Sequence, residues 1–246
     1  MAKFCTKCGK KLEEGKPCDC EKEKKIEKEK EIEEQKERTN EKFDIQSYVN
    51  TYIEILKNIF TKPVDTVKKF ATEENFILGL IAMLINSLIS GVFVYCFTKE
   101  ALNSVTSGMG MYGLALGLGV EIPFLQVVIY GTVFMVASFL MTSLMIFVFT
   151  GSLFKDDMNF KRATALVGTC SVFTTVTTLA CIVLALISIE LASYVLLIAG
   201  ILYFTHLYQG MVEITTFDRN KLAYVFTGVI AITVFVVFYI LPRILF

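Results

Sequence analysis

The sequence predicts an all-α membrane protein: a bundle of five transmembrane helices preceded by amphipathic helices, a charged linker and a small zinc-binding head. Five apolar stretches, each able to cross about 30 Å of hydrocarbon, follow residue 75. Four of the seven cysteines lie within residues 5–20, and residues 1–75 hold 17 basic and 17 acidic side chains against 7 and 7 in residues 76–246. This division excludes an ordinary cytosolic enzyme, a secreted disulfide scaffold and a nucleic-acid binder that relies on bulk positive charge.

The first element, residues 1–20, carries Cys5, Cys8, Cys18 and Cys20. Two thiolates separated by two residues can bind one Zn²⁺, and a second pair completes a tetrahedral site of four sulfurs. A closed site of this kind is structural and leaves no position open for catalysis. Reduced thiols, a disulfide and a redox CxxC pair are the alternatives, and a cytoplasmic head disfavours the disulfide. We therefore expect a small zinc ribbon whose folding depends on structural Zn²⁺.

The linker, residues 21–42, contains 8 basic and 9 acidic residues, with Ile26 and Ile32 as its only aliphatic side chains. Without a sustained row of apolar residues it cannot form a coiled coil. As a helix it would be a spacer of about 33 Å at 1.5 Å per residue. A merely solvated, disordered run fits the composition equally well, and both interpretations stay open.

Residues 43–75 predict two amphipathic helices at the membrane interface. Apolar side chains recur at helical spacing from Tyr48 to Phe60, and Pro63 suits the first position of a second helix. If the helices rest on the cytoplasmic leaflet, their cations lie near anionic headgroups. Those cations are Lys57, Lys62, Lys68 and Lys69. Docking against the bundle would use the same apolar face, so the sequence leaves both locations open.

The membrane domain, residues 76–246, contains five predicted spans. They are 76–97, 123–149, 163–187, 191–212 and 222–241. Because hydrocarbon offers no partner to a free peptide group, spans of this length must be helices. Only Ser188, Ile189 and Glu190 separate the third span from the fourth, which predicts an antiparallel hairpin.

Loop cations predict the orientation in the cell membrane. With the head in the cytoplasm, seven cations of the membrane-proximal segments lie inside and two lie outside. The inside set is Lys68, Lys69, Lys155, Lys161, Arg162, Arg219 and Lys221, and the outside set is Lys99 and Arg243. We therefore expect a multi-pass protein with a cytoplasmic N-terminus and an external C-terminus.

Two segments carry a resemblance to known families. Residues 57–70, KNIFTKPVDTVKKF, contain a Phe-x-x-Pro element, and with the five spans and the nearly loopless hairpin they resemble the bacterial branch of the Yip family of membrane proteins. Residues 4–12, FCTKCGKKL, look like short zinc ribbons fused to small membrane proteins of Gram-positive bacteria. The resemblance implies a multi-pass bundle. In eukaryotes the family is associated with Rab-type GTPases and vesicle traffic, but no GTPase-binding residue can be placed on this sequence.

Polar side chains inside spans form the candidate intramembrane site. His206, Gln209 and Glu213 recur at i, i+3 and i+7 on one stripe of the fourth span, and Asn86 lies in the first. Glu213 lies where Arg162, Arg219 or Lys221 could neutralise it. The stripe fits a pathway for a proton or small solute, but it also fits hydrogen bonding between helices.

These features predict a non-enzymatic integral membrane protein whose zinc ribbon binds or senses a cytoplasmic protein partner. The sequence contains no evident nucleophile–base pair, phosphate loop or carboxylate dyad. The alternative is a small transporter or channel that uses the stripe of the fourth span. The lipid bilayer is the second expected partner, no specific nucleic acid is expected, and a homo-oligomer stays open.

Overall fold

A computed structural model describes residues 3–4, 11–12, 45–108, 122–240 and 243. It divides the chain into two compact units, residues 1–48 and 49–246. In the first unit, β1 (Lys3–Phe4) pairs antiparallel with β2 (Lys11–Leu12), so that Lys3 lies opposite Leu12. Cys5 and Cys8 fall between these strands in the sequence. All four predicted zinc ligands and the charged linker lie outside the described residues.

Two amphipathic helices precede the bundle, α1 (Ile45–Asn58) and α2 (Pro63–Phe70). Pro63 occupies the first turn of α2, where a missing N–H costs no hydrogen bond. Ile55, Ile59 and Val67 are at most 1% exposed. These residues therefore contact protein, whereas Val49, Ile53 and Phe60 of the same apolar pattern are 41–48% exposed.

The five predicted spans are confirmed as five helices that are long and apolar enough to cross a membrane within the described residues. They are α3 (Phe76–Gly108), α4 (Phe124–Phe147), α5 (Phe160–Ala185), α6 (Ile189–Ile214) and α7 (Arg219–Phe235). Helix α4 continues as a π-helical segment over Val148–Leu153, and α7 continues as another over Val236–Ile240.

The helix ends differ in part from the predicted spans. Helix α3 continues to Gly108, past the predicted end at Phe97, because a helix can carry charged residues such as Lys99 once it leaves the hydrocarbon. The tight hairpin between α5 and α6 is observed as expected. The connection ends at Ser188, which is the N-cap of α6. The Ser188 hydroxyl accepts a hydrogen bond from the Leu191 N–H at 3.2 Å.

Helices α3 and α5 form the centre of the bundle. In α5, 61% of the most apolar 18-residue stretch is buried, and in α3 50% of the corresponding stretch is buried. The other three helices bury only 22–28% of theirs. The two backbones touch where the helices cross, since a Cβ atom at Gly168 would lie only 2.3 Å from the Gly79 Cα. The hydrophobic driving force between helices is weak in lipid. Small residues at a crossing let the two helices pack closely, and this van der Waals contact stabilises the pair.

The connections α4–α5 and α6–α7 meet at one end of the bundle. Asp156 accepts hydrogen bonds from the Thr216 hydroxyl at 2.9 Å and the Thr216 N–H at 3.3 Å. The Lys221 ammonium lies 4.4 Å from the centre of the Phe154 ring. These contacts hold together the end of the bundle that the cation count assigns to the cytoplasm.

Candidate functional site

The corner between α1 and α2 packs over a groove between α5 and α6. The ring centres of Phe60 and Phe173 are 5.1 Å apart. The ring centres of Phe173 and His206 are 4.8 Å apart, and the two rings are nearly perpendicular, with an interplanar angle of 83°. Three rings therefore connect the corner to α6 by way of α5. Phe60 and Pro63 are the two fixed residues of the Phe-x-x-Pro element, so this element forms the corner itself.

The Tyr52 hydroxyl of α1 is buried and has no hydrogen-bond partner among the described residues. Burial raises the pKa of its phenol, and the neighbouring Thr175 hydroxyl of α5 offsets part of that shift. Thr175 itself is buried and donates to the Ser171 carbonyl at 3.0 Å. The side chains of α1 therefore reach the hydroxyl-bearing face of α5.

A glycine notch in α6 receives α2. A Cβ atom at Gly210 would lie 2.6 Å from Val67 Cγ1 and 2.7 Å from Leu166 Cδ1. Such distances are far below ordinary van der Waals contact, so a side chain at position 210 would force Val67 and Leu166 to shift. Val67 is fully buried.

Two ion pairs hold the C-terminal turn of α2. Lys68 Nζ donates to Glu213 Oε2 at 2.8 Å, which joins α2 to α6, and Lys69 pairs with Glu54, which joins α2 to α1. The hydrogen bond and the charge of Glu213 raise the pKa of Lys68. Glu213 is thus neutralised by Lys68, a residue that the sequence analysis did not consider as its partner.

The polar stripe of the fourth span therefore contacts α2 at Glu213 and α5 at His206. His206 lies beneath the aromatic contact at the corner, Gln209 is half-buried, and Glu213 is paired with α2. Gly210 lies between the last two and forms the notch. Gly210 and Glu213 together make a docking surface for α2.

Asn86 lies in a different part of the bundle, between α3 and α5. It is completely buried, and its Nδ2 donates to Thr174 Oγ1 at 2.8 Å. Thr174 in turn donates to the Ser171 carbonyl at 2.8 Å. Since consecutive helix residues point about 100° apart, Asn86 and His206 contact different sides of α5, at Thr174 and Phe173 respectively. Asn86 and the polar stripe of the fourth span therefore lie against different sides of α5.

A cavity of about 210 Å³ lies between α4, α6 and α7. Its lining is largely apolar and includes Phe139, Tyr203 and Val237. None of the four residues of the candidate intramembrane site lines it. The cavity is therefore separate from the docking surface on α6.

Sequence reasoning found the stripe but not what covers it. Gly210 follows His206 by four residues and so shares its face, and a small residue beside polar ones in a membrane helix is a signal for close packing. Cys170 and Cys181 are buried in the bundle and Cys96 is half-buried, and all three are free thiols. The four cysteines of the head lie outside the described residues.

Comparison with known proteins places most of the chain in one family. A family model described as the Yip1 domain matches residues 57–241, which begin inside α1 and include α2 and all five membrane-length helices. No curated protein and no solved structure matches the chain.

Proposed function

The chain belongs to the Yip1 domain family, and from this premise we propose that it is a non-enzymatic protein of the cell membrane whose zinc-bearing head serves a cytoplasmic partner. In this proposal the bundle anchors the chain in the bilayer with its N-terminus in the cytoplasm and its C-terminus outside. The head binds structural Zn²⁺ through Cys5, Cys8, Cys18 and Cys20, and it binds or senses a protein partner.

The observation that carries the proposal is the ion pair between Glu213 and Lys68. A pathway for protons or solutes needs polar groups that face open space within the membrane. Glu213 instead contacts α2, and Asn86 is used in a hydrogen bond between α3 and α5. Because these groups act in packing, they favour an anchor over a transporter or channel.

Two features support a metal-binding head. The pairing of β1 with β2 brings together the residues on either side of Cys5 and Cys8, as a metal-binding turn requires. Five lysines of the head would offset the negative charge of four thiolates on one zinc ion. They are Lys3, Lys7, Lys10, Lys11 and Lys16. The family match begins at Lys57, so the head is an addition to the matched domain.

Metal analysis of the full-length protein tests the head. The purified chain should carry about one zinc ion, because four thiolates complete a tetrahedral site. A Cys5→Ser/Cys8→Ser variant should lose the zinc, whereas Cys96→Ser, a matched change in α3, should keep it. Zinc-free wild-type protein, or equal zinc in both variants, would contradict the proposal.

Crosslinking in intact cells tests the partner. Wild-type protein and the Cys96→Ser variant should crosslink to the same defined cytoplasmic protein, and Cys5→Ser/Cys8→Ser should not. Identical crosslinks from all three chains would refute a zinc-dependent partner. In reconstituted vesicles, a solute flux that disappears in Glu213→Gln would instead establish the transporter alternative.

A further inference from the structure

The cavity between α4, α6 and α7 has a buried floor and an exposed rim. Thr142, Tyr203 and Thr233 on the floor are at most 9% exposed. Phe204 and Phe238 on the rim are 40% and 70% exposed. The cavity therefore opens sideways, on the side of the bundle that faces lipid when the helices cross a membrane.

The floor of the cavity lies near the middle of α6, and its rim reaches the last helical segment at Phe238. At 1.5 Å per residue, Tyr203 is about 21 Å from the start of α6 and about 16 Å from its end. The hydrocarbon core of a bilayer is about 30 Å thick. At this depth the molecules that surround the protein are the ends of lipid acyl chains, whereas headgroups and ester groups lie near the two surfaces.

The surface that lines the cavity is almost entirely apolar. The hydroxyls of Ser138 and Thr142 donate to carbonyl oxygens of their own helix, at 2.7 and 2.8 Å. Tyr203 and Thr233 line the floor, and their hydroxyl oxygens are buried without a partner among the described residues. Water is held where two to four polar groups surround it, and this lining does not supply them.

The helices around the cavity leave a gap that a chain would fill. Helices α4 and α6 meet there through an edge contact of Phe139 with Tyr203, whose ring centres are 6.3 Å apart. A second edge contact, Phe134 with Phe238 at 5.8 Å, joins α4 to the end of α7. Both contacts flank the cavity, so its walls are held apart by rigid rings.

We propose that this cavity is a binding site for the hydrocarbon chain of a membrane phospholipid, which enters from the bilayer past Phe204 and Phe238. The bound chain fills the space between α4, α6 and α7 and contacts the floor at Phe139, Tyr203 and Val237. This site is independent of the zinc head and of the proposed partner.

Photocrosslinking in vesicles tests the site. The full-length protein is reconstituted in phosphatidylethanolamine with a small fraction of phosphatidylglycerol that carries a diazirine at the end of one acyl chain. We expect adducts on cavity residues such as Met135 and Thr233. Ser138→Phe fills the cavity from α4 and should therefore weaken binding of the acyl chain. We expect it to reduce these adducts roughly fivefold or more.

Control variants separate the cavity from general contact with lipid. Leu197→Phe adds an aromatic ring on the lipid-facing surface of α6, where Leu197 is 63% exposed, and should leave the adducts unchanged. Val234→Phe narrows the rim without altering the floor and should reduce them even if Ser138→Phe fails to fold. Adducts in Val234→Phe as abundant as those in the wild-type protein would overturn the proposal. Tyr203→Phe removes one hydroxyl from the floor of the cavity. Loss of labelling in this variant would show that the ligand needs a polar contact and would overturn its assignment as a hydrocarbon chain.

Discussion

Lys68 Nζ lies 2.8 Å from Glu213 Oε2, so an ion pair joins the short helix α2 to the end of the membrane helix α6. Glu213 is the charged residue of the polar stripe His206, Gln209 and Glu213, which in the sequence also fits a pathway through the membrane. In the structure this carboxylate is paired with Lys68. The position of this pair makes α2 part of the bundle, and the stability of that contact can be measured.

Charge reversal at Lys68 should loosen α2. In Lys68→Glu two carboxylates face each other, and amide hydrogen exchange over residues 63–70 should become faster. Because the pair is exposed to solvent, the effect should be small and should shrink in high salt. The swapped pair, Lys68→Glu with Glu213→Lys, should restore slow exchange. Equal exchange in all chains would show that the pair contributes nothing to docking.

The same pair predicts a pH dependence. Glu213 raises the pKa of Lys68 above its usual 10.5, so the stabilising contribution is fully present below that value and is lost as the pH rises through the raised pKa. Exchange of α2 should therefore show no step from this lysine in the neutral range and should accelerate in strongly alkaline solution. In Lys68→Met this alkaline step should be missing, and its persistence there would assign it to another group.

The notch at Gly210 should not tolerate a side chain. Gly210→Val places a Cβ against Val67 and Leu166 and should destabilise the protein by about 1–3 kcal/mol, as overpacking does. Gly200 lies in the same helix with nothing within 4 Å of its Cβ position, so Gly200→Val is the matched control. Unfolding in detergent measures both. Similar losses in the two variants would mean that helix propensity, not the notch, is responsible.

The hydrogen bond between Asn86 and Thr174 should stabilise the central pair of helices. In a double-mutant cycle with Asn86→Ala and Thr174→Val, the coupling energy should be about 0.5–2 kcal/mol, the range known for hydrogen bonds between membrane helices. Unfolding of each variant in detergent gives the four free energies that the cycle needs. A coupling energy of zero would leave Asn86 with only its volume as a structural role.

Reporter fusions should show the predicted orientation. A reporter active only in the cytoplasm should work when it is inserted beside Lys155, in the connection between α4 and α5, and should fail after residue 246. Lysines and arginines are retained on the cytoplasmic side, and the cations near Lys155 give that side its excess. The reverse pattern would place the head outside the cell and remove the basis for a cytoplasmic partner.

Much of the fold follows from local properties of the chain. The number of spans could be predicted because a backbone in hydrocarbon must satisfy its own hydrogen bonds, so length and hydropathy suffice. The hairpin between α5 and α6 followed from a connection too short for any other arrangement. The longer course of α3 could not be read from hydropathy, because a helix need not end where the membrane does.

The candidate site was predictable only in part. His206, Gln209 and Glu213 share one face by helical periodicity, and the sequence is enough to show that. What lies against that face depends on Val67, which precedes Gly210 by 143 residues, and on Lys68, which precedes Glu213 by 145 residues. Contacts between residues so far apart in the chain leave no local signal in the sequence.

The sequence by itself determined the five membrane helices, their connection order, the amphipathic pair before them and the asymmetry of the loop cations, because each depends on residues close together in the chain. Only the tertiary structure decided that α2 docks on α6, that Lys68 neutralises Glu213, and that an apolar cavity remains between α4, α6 and α7. These depend on how closely two helices approach, and a glycine such as Gly210 sets that distance only once its partner is in place.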